Sequence, residues 1–309
     1  MRRLASLLLA FTFLSAQPAL LRAGSAAEKA TDKAKPAKAT DDRDSPPEIP
    51  WHSSYAKAMD VAEKQGRMLL IYFCDPGNDE PCRRFKAETL DDPDVCDKLR
   101  EYVCVRIPLD AAIKIDGEDV VLLEHRSFKE MLGKPGIAIA DFANAGADHY
   151  GHVVSTFPIT KKLWYTPERM VTILTLPPGT LTQRTLIYAV RIHPDKPSST
   201  DGRVDSRLAG EAEKHSRYQA RIRRQGHHHW DRRFRRINTR LPRGLVACEV
   251  CAESWPGENL VEAAVECVRC WRLSEGHWSA VRAFHRVYGY DIKRGPNGIW
   301  YATGIFGKG

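Results

Sequence analysis

The stretch VYGYDIKRGPNGIWYATGIFG, residues 287–307, reads as a β-hairpin: two runs rich in β-branched and aromatic residues, Val287 to Ile292 and Ile299 to Ile305, flank a Gly-Pro-Asn-Gly turn. Immediately upstream the period changes. Leu260, Ala263, Ala264, Cys267, Val268 and Trp271 recur as one helical stripe, with Glu262 and Glu266 expected to face water. A second helix carries Trp230, Phe234, Ile237 and Leu241 on one side, and a third, near Glu211 to Arg224, sets His215, Tyr218 and Ile222 together. Helices packed on a small terminal sheet give an α+β or α-β-α layered domain over residues 211–309.

The first half reads differently. Tyr55, Ala58, Met59 and Ala62 lie at helical spacing up to Gly66, the apolar strand Met68 to Cys74 follows, and a helix runs from Glu80 to Leu90. Val95 and Leu99 mark a short helix, Val103 to Leu109 alternates as a strand, and Val120 to Leu132 returns to helical spacing. After Pro135, Ile137 to Phe142 and His152 to Phe157 are strand candidates. This alternation predicts an α/β unit, a sheet covered by helices, over residues 49–160. Residues 161–192 read as a helical connector, and Pro194, Pro197, Ser198, Ser199 and Gly202 mark a linker over 193–210.

At 309 residues the chain is long enough for two such units. Arg2 and Arg3 precede an apolar run from Leu4 to Leu14, with small residues at 23–26, so residues 1–26 read as a signal peptide. Residues 27–48, rich in Ala, Lys, Asp and Pro, read as a disordered tether. The expected location is therefore secreted or periplasmic, with no membrane span once the signal is cleaved. The net charge of +8 is concentrated between Lys214 and Arg243, where eleven Lys/Arg residues face one acid, Asp231. Arg217, Arg221 and Arg224 fall opposite Tyr218 and Ile222, the pattern of a solvated helix face, which argues against nucleic acid as a partner. Outside the cytoplasm such a field would suit a lipid surface, a cell-wall polymer or an acidic glycan.

The strand MLLIYF, a cysteine opening a helix at PCRRFK, and the later GKPGIAIADF resemble the thioredoxin fold. The resemblance implies that Pro135 matches that family's cis-proline and Cys82 the second cysteine of its Cys-x-x-Cys pair. The first cysteine is replaced by Asp79, so the domain reads as redox-incompetent. The alternative is a thiol-disulfide oxidoreductase using Cys82, with Cys74 as a structural or non-standard redox partner. Cys96 and Cys104 read as small hydrophobes.

In the C-terminal part, CEVCAES, WRLSEGHW and the closing GIFG resemble the CAP superfamily, the cysteine-rich secretory, antigen 5 and pathogenesis-related proteins. That resemblance implies a cavity built from His227 (alternatively His229), Glu249 and His277, and extracellular roles such as lipid or sterol binding, protein interaction or proteolysis. Physically, two imidazoles and a carboxylate that converge can bind a divalent cation such as zinc, or work as acid and base near neutral pH. The function expected is an extracytoplasmic ligand- or metal-binding module; a hydrolase at the same cavity, using Glu249 and His277, is the alternative.

Cys248, Cys251, Cys267 and Cys270 spell C-x2-C-x15-C-x2-C, a zinc-ribbon spacing. Export and the helical stripe containing Cys267 argue instead for disulfides or buried thiols.

Overall fold

The computed structural model describes residues 49–75, 80–115 and 118–309; the expected signal peptide and tether lie outside them. The molecule is mixed α/β, with helices packed on mixed sheets.

The first sheet has five strands: β1 (Trp51–His52), β2 (Leu69–Phe73), β3 (Val103–Ile107), β6 (Gly136–Ala140) and β7 (Val153–Pro158), in the order β1-β3-β2-β6-β7. β1 and β2 run parallel to β3, whereas β6 is antiparallel to β2 and β7 to β6. Every residue of β2 and β6 is buried, which is why both read as continuous apolar runs without alternation. Helix α1 (Tyr55–Gln65) starts where the Ser54 hydroxyl accepts from the Lys57 amide and stops at Gly66, whose φ of 61° suits glycine. Helices α2 (Glu80–Phe85) and α3 (Pro93–Leu99) complete the covering.

The segment read as one helix from Val120 to Leu132 is something else. Val120 and Val121 end a hairpin formed by β4 (Ala112–Ile115) and β5 (Glu118–Val121), and two 3-10 turns, Leu122–Glu124 and Arg126–Met131, follow. Leu122, Leu123, Phe128 and Met131 are buried all the same. Three-residue turns bring apolar side chains onto one side at nearly the spacing an α-helix does, so periodicity alone cannot separate the two.

The second sheet has the order β8-β10-β11-β9, with β8 (Arg203–Val204), β9 (Val246–Glu253), β10 (Val287–Arg294) and β11 (Trp300–Lys308). β10 and β11 form the hairpin anticipated from the sequence, in register from Val287 opposite Gly307 to Arg294 opposite Trp300. Alternation splits this sheet's side chains between two cores. Tyr288, Tyr290, Ile292, Trp300, Ala302 and Phe306 join the large core that contains α8 (Leu260–Arg272) and α5 (Leu181–Arg191). Ala247, Val287 and Ile305 instead meet α6 (Ser206–Ile222) and α7 (Trp230–Asn238).

Helix α6 lies close on the sheet. Gly289 makes this approach fit, since a Cβ there would sit 2.1 Å from the Ala209 nitrogen and 2.3 Å from the Leu208 carbonyl carbon. Two hydrogen bonds fix the helix further: Ser216 Oγ donates to the Asp291 carbonyl at 2.8 Å and Gln219 Nε2 to Thr303 Oγ1 at 3.0 Å.

Between the sheets sits α5, packed on β7, β10 and α8, while α4 (Pro167–Leu174) packs on α3 and α5. Residues read as a linker, 193–210, supply β8 and the start of α6, and Ser199 is buried with its hydroxyl 2.7 Å from Tyr290 Oη. Residues 49–309 hold together as one unit. Among the described residues, no helix is long and apolar enough to cross a membrane. Glu262 and Glu266 are half-buried rather than fully hydrated, and line a cavity of about 330 Å³ with Trp164, Tyr165 and Tyr188.

Candidate functional site

Strand β9 organises the site through its period of two. Cys248, Val250 and Ala252 face the large core, so Ala247, Glu249 and Cys251 face α6 and α7. A carboxylate in that position must be paired, and Glu249, whose side chain is 1% exposed, is. Arg233, from the inner edge of α7, ion-pairs with Glu249 Oε2, His227 Nδ1 lies 3.0 Å from Oε1, and His215 Nε2 lies 3.8 Å from the same oxygen.

The loop between α6 and α7 presents His227. Helix α6 ends at Arg223 in the left-handed conformation, Gly226 takes φ of 152°, and His229 at φ of 55° precedes α7. Three bonds hold this loop down: Gln219 Oε1 accepts from the Gly226 amide (3.0 Å), His215 Nε2 donates to the Gly226 carbonyl (2.9 Å) and Gln225 Nε2 donates to the Cys251 carbonyl (3.2 Å). With Nδ1 on Glu249, the His227 ring turns its Nε2 outward. There it meets His277 Nε2 at 3.1 Å. His277 stands on α9 (Glu275–Arg282), a helix the sequence reading did not anticipate.

The structure therefore brings His227, Glu249 and His277 into one cluster. No protein-family model matches this chain, and no curated protein matches it either. His229 turns away, to Tyr218 Oη at 3.1 Å, and His228 bonds the Arg224 carbonyl at 3.2 Å. Sequence reasoning missed His215 and Arg233. His215 was seen only as part of a helix face, and Arg233 was counted with the basic run although it borders the α7 apolar stripe. The remainder of that run is largely surface: Arg221, Arg224, Arg232 and Arg235 are exposed, whereas Arg236 and Lys214 pair with Glu211.

Burial by itself would raise the Glu249 carboxyl, but hydrogen bonds from His227 and Arg233 and the Arg233 charge outweigh it and hold the group below its ordinary range. Burial, then the neighbouring His227, lowers His277, so it is neutral near pH 7. His215 is lowered to about 4, first by burial and then by Arg233, against the pull of Glu249.

The sign of the resulting pH dependence follows from proton uptake. Between about pH 6.5, where a free imidazole titrates, and about 4, the unfolded chain binds a proton that folded His215 refuses. Stability is thus lost as pH falls through that window, by on the order of 3 kcal/mol. Urea unfolding at about pH 7 and about pH 4.5 should show this loss, and His215→Gln should reduce it. An unchanged slope in that variant would rule the assignment out.

His215, Glu249 and Cys251 each bring one donor atom within 4.8 Å of the other two, a group able to hold a metal ion. The four cysteines of the zinc-ribbon spacing do not converge in this way. Cys248 and Cys251 are three apart on a strand and face opposite sides, while Cys248, Cys267 and Cys270 border the large core. Among the described residues, which include all eight cysteines, no disulfide is formed. Cys82 lies elsewhere, buried on α2, and Pro135 directly precedes β6, its carbonyl accepting from the Ile159 amide at 2.7 Å.

Proposed function

We propose that this is an exported protein whose residues 211–309 form a CAP-like module binding a divalent cation, zinc by donor type, at His227 and His277. One observation carries the reading: two Nε2 atoms face each other at 3.1 Å while the opposite nitrogen of His227 is held by a buried carboxylate. Nitrogens at that separation can both lie about 2.0–2.1 Å from one zinc ion. A carboxylate behind a ligating histidine fixes its tautomer and ring orientation, the role Glu249 takes here. His227 is 42% exposed, so the pair opens to solvent and leaves positions for a ligand. Bound there, zinc would supply a Lewis acid for an anionic or carbonyl ligand. Arg233 keeps Glu249 ionised, and the Gly226 tethers keep His227 aimed outward.

The inner group of His215, Glu249 and Cys251 is the weaker holder. His215 Nε2 is already committed to the Gly226 carbonyl, and burial pushes the Cys251 thiol well up, away from the thiolate that metal requires. Helices on both faces of the second sheet support the CAP-like reading of residues 211–309. The order β1-β3-β2-β6-β7, with two parallel pairings followed by two antiparallel ones, supports a thioredoxin-like reading of residues 49–160.

Zinc titrated into the full chain by calorimetry should bind at one equivalent, and Glu249→Gln should weaken it about 10–100-fold. Binding indifferent to Glu249→Gln would remove the carboxylate from the site. An absence of zinc binding near pH 7 would end the proposal.

A further inference from the structure

The cavity of about 330 Å³ brings carboxylates from α8 and the turn before it into one space with cations from the segment between β7 and α5. Its volume lies at the lower end of the range for small-molecule sites, about 300–1,000 Å³. On the α8 side stand three glutamates one turn apart, Glu258, Glu262 and Glu266. Two are committed: Glu258 Oε2 accepts from the Trp255 amide at 3.2 Å, and Glu266 holds the Arg269 guanidinium through both oxygens, at 2.6 and 2.7 Å. Glu262 is half-buried and forms no salt bridge among the described residues. On the other side stand Arg169 and Lys162, both exposed and likewise without a salt bridge among the described residues. Arg169 Nη1 donates to the Trp164 carbonyl at 3.0 Å, which anchors the guanidinium at the cavity.

The remaining lining is apolar and aromatic, with Trp164, Tyr165, Ile192, Val261 and Val265. Tyr188 lines it too. This residue is 1% exposed, and its hydroxyl makes no hydrogen bond among the described residues although it is not closed off from solvent. A buried hydroxyl without a partner is unfavourable, so whatever fills the cavity has to bring it one. Both kinds of charge reach the same spot: burial raises the hydroxyls of Tyr165 and Tyr188, the Arg169 charge opposes this at both, and the Glu262 charge adds to it at Tyr165. An arginine and a glutamate left unpaired around one partly dehydrated space are complementary to a molecule that carries both signs.

We propose that this cavity binds a zwitterionic α-amino acid with a large apolar side chain, its ammonium on Glu262, its carboxylate on Arg169 and its side chain against the aromatic lining. The Tyr188 hydroxyl then donates to the ligand carboxylate. A simple cation would leave Arg169 and Lys162 unanswered, and a simple anion would leave Glu262 so. The site shares no residue with the His227 and His277 pair and stands without it.

Calorimetry on the full chain tests this with L-phenylalanine as the probe. Saturable binding with a Kd of about 1 mM or below is expected. L-phenylalaninamide, which lacks the carboxylate, and N-acetyl-L-phenylalanine, which lacks the ammonium, should each bind about 10-fold more weakly or worse. Glu262→Gln should weaken L-phenylalanine about 10-fold and leave the N-acetyl form unchanged, while Arg169→Gln should weaken L-phenylalanine by as much and leave the amide unchanged. Both side chains reach solvent, so the variants are expected to fold, and urea unfolding checks this. An amide that binds as tightly as the free amino acid would reveal a site for cations, and an N-acetyl form that does so a site for anions; either overturns the proposal. So does the absence of saturable binding by the wild-type chain, whatever the variants show.

Discussion

The double substitution His227→Ala and His277→Ala is expected to weaken zinc binding about 100-fold or more, roughly 3 kcal/mol, with little change in fold stability. The reason is where the two rings sit. His227 is 42% exposed and His277 half-buried, and they meet each other across solvent-facing space, so removing them opens no closed cavity. Surface losses of this kind stay within about 0.5 kcal/mol, with somewhat more allowed here because Glu249 Oε1 loses a donor and must take water instead. Each single substitution should lose most of the effect, since one imidazole alone is a poor zinc site. Calorimetry and urea unfolding on the same preparation separate the two quantities. Undiminished affinity in the double variant would transfer the metal to His215, Glu249 and Cys251, and would overturn the outer-pair assignment.

Arg184→Met is expected to destabilise the protein by about 3 kcal/mol, the larger of the two effects on folding. Arg184 is fully buried on α5, and its guanidinium donates to Ser155 Oγ of β7 and to the Leu176 and Pro177 carbonyls, all at 2.9 Å. Methionine fills similar volume, so the packing term is small and the acceptors decide the outcome. Each buried acceptor left without a donor costs about 1–3 kcal/mol, and removing a desolvated charge returns part of that. Among the described residues no carboxylate forms a salt bridge with Arg184, so none of them is left as a stranded partner charge. The guanidinium therefore acts as a hydrogen-bond hub joining α5, the turn before it and the edge of the first sheet. A loss below about 1 kcal/mol in urea unfolding would show that water enters and replaces those bonds.

How much was readable in advance differed between elements for identifiable reasons. Helix α8 and the β10–β11 hairpin carry long, regular patterns: six apolar residues in one stripe, and two strands around Gly-Pro-Asn-Gly. The segment 120–132 was misread because Val120 and Val121 belong to a strand pair and the buried residues after them ride on short 3-10 turns. Helix α9 and strand β8 were missed because eight and two residues carry too little period to detect. Of the cluster, His227, Glu249 and His277 could be named from the resemblance to the CAP superfamily. His215 and Arg233 could not, since a histidine within a helix stripe and an arginine within a basic run look alike whether buried or wet.

Alone, the order of residues determined which segments would be helix or strand wherever a stripe or alternation ran long enough, because those periods are properties of neighbouring residues. It also fixed the chemical types on offer, imidazole, carboxylate and thiol. Tertiary structure decided which of them meet. The alternation of β9 sent Glu249 and Cys251 to one side and Cys248 to the other, and the turn at Gly226 chose His227 over His229. Convergence of side chains from β9, α9 and the loop before α7 depends on how three distant segments pack, and no local pattern encodes that.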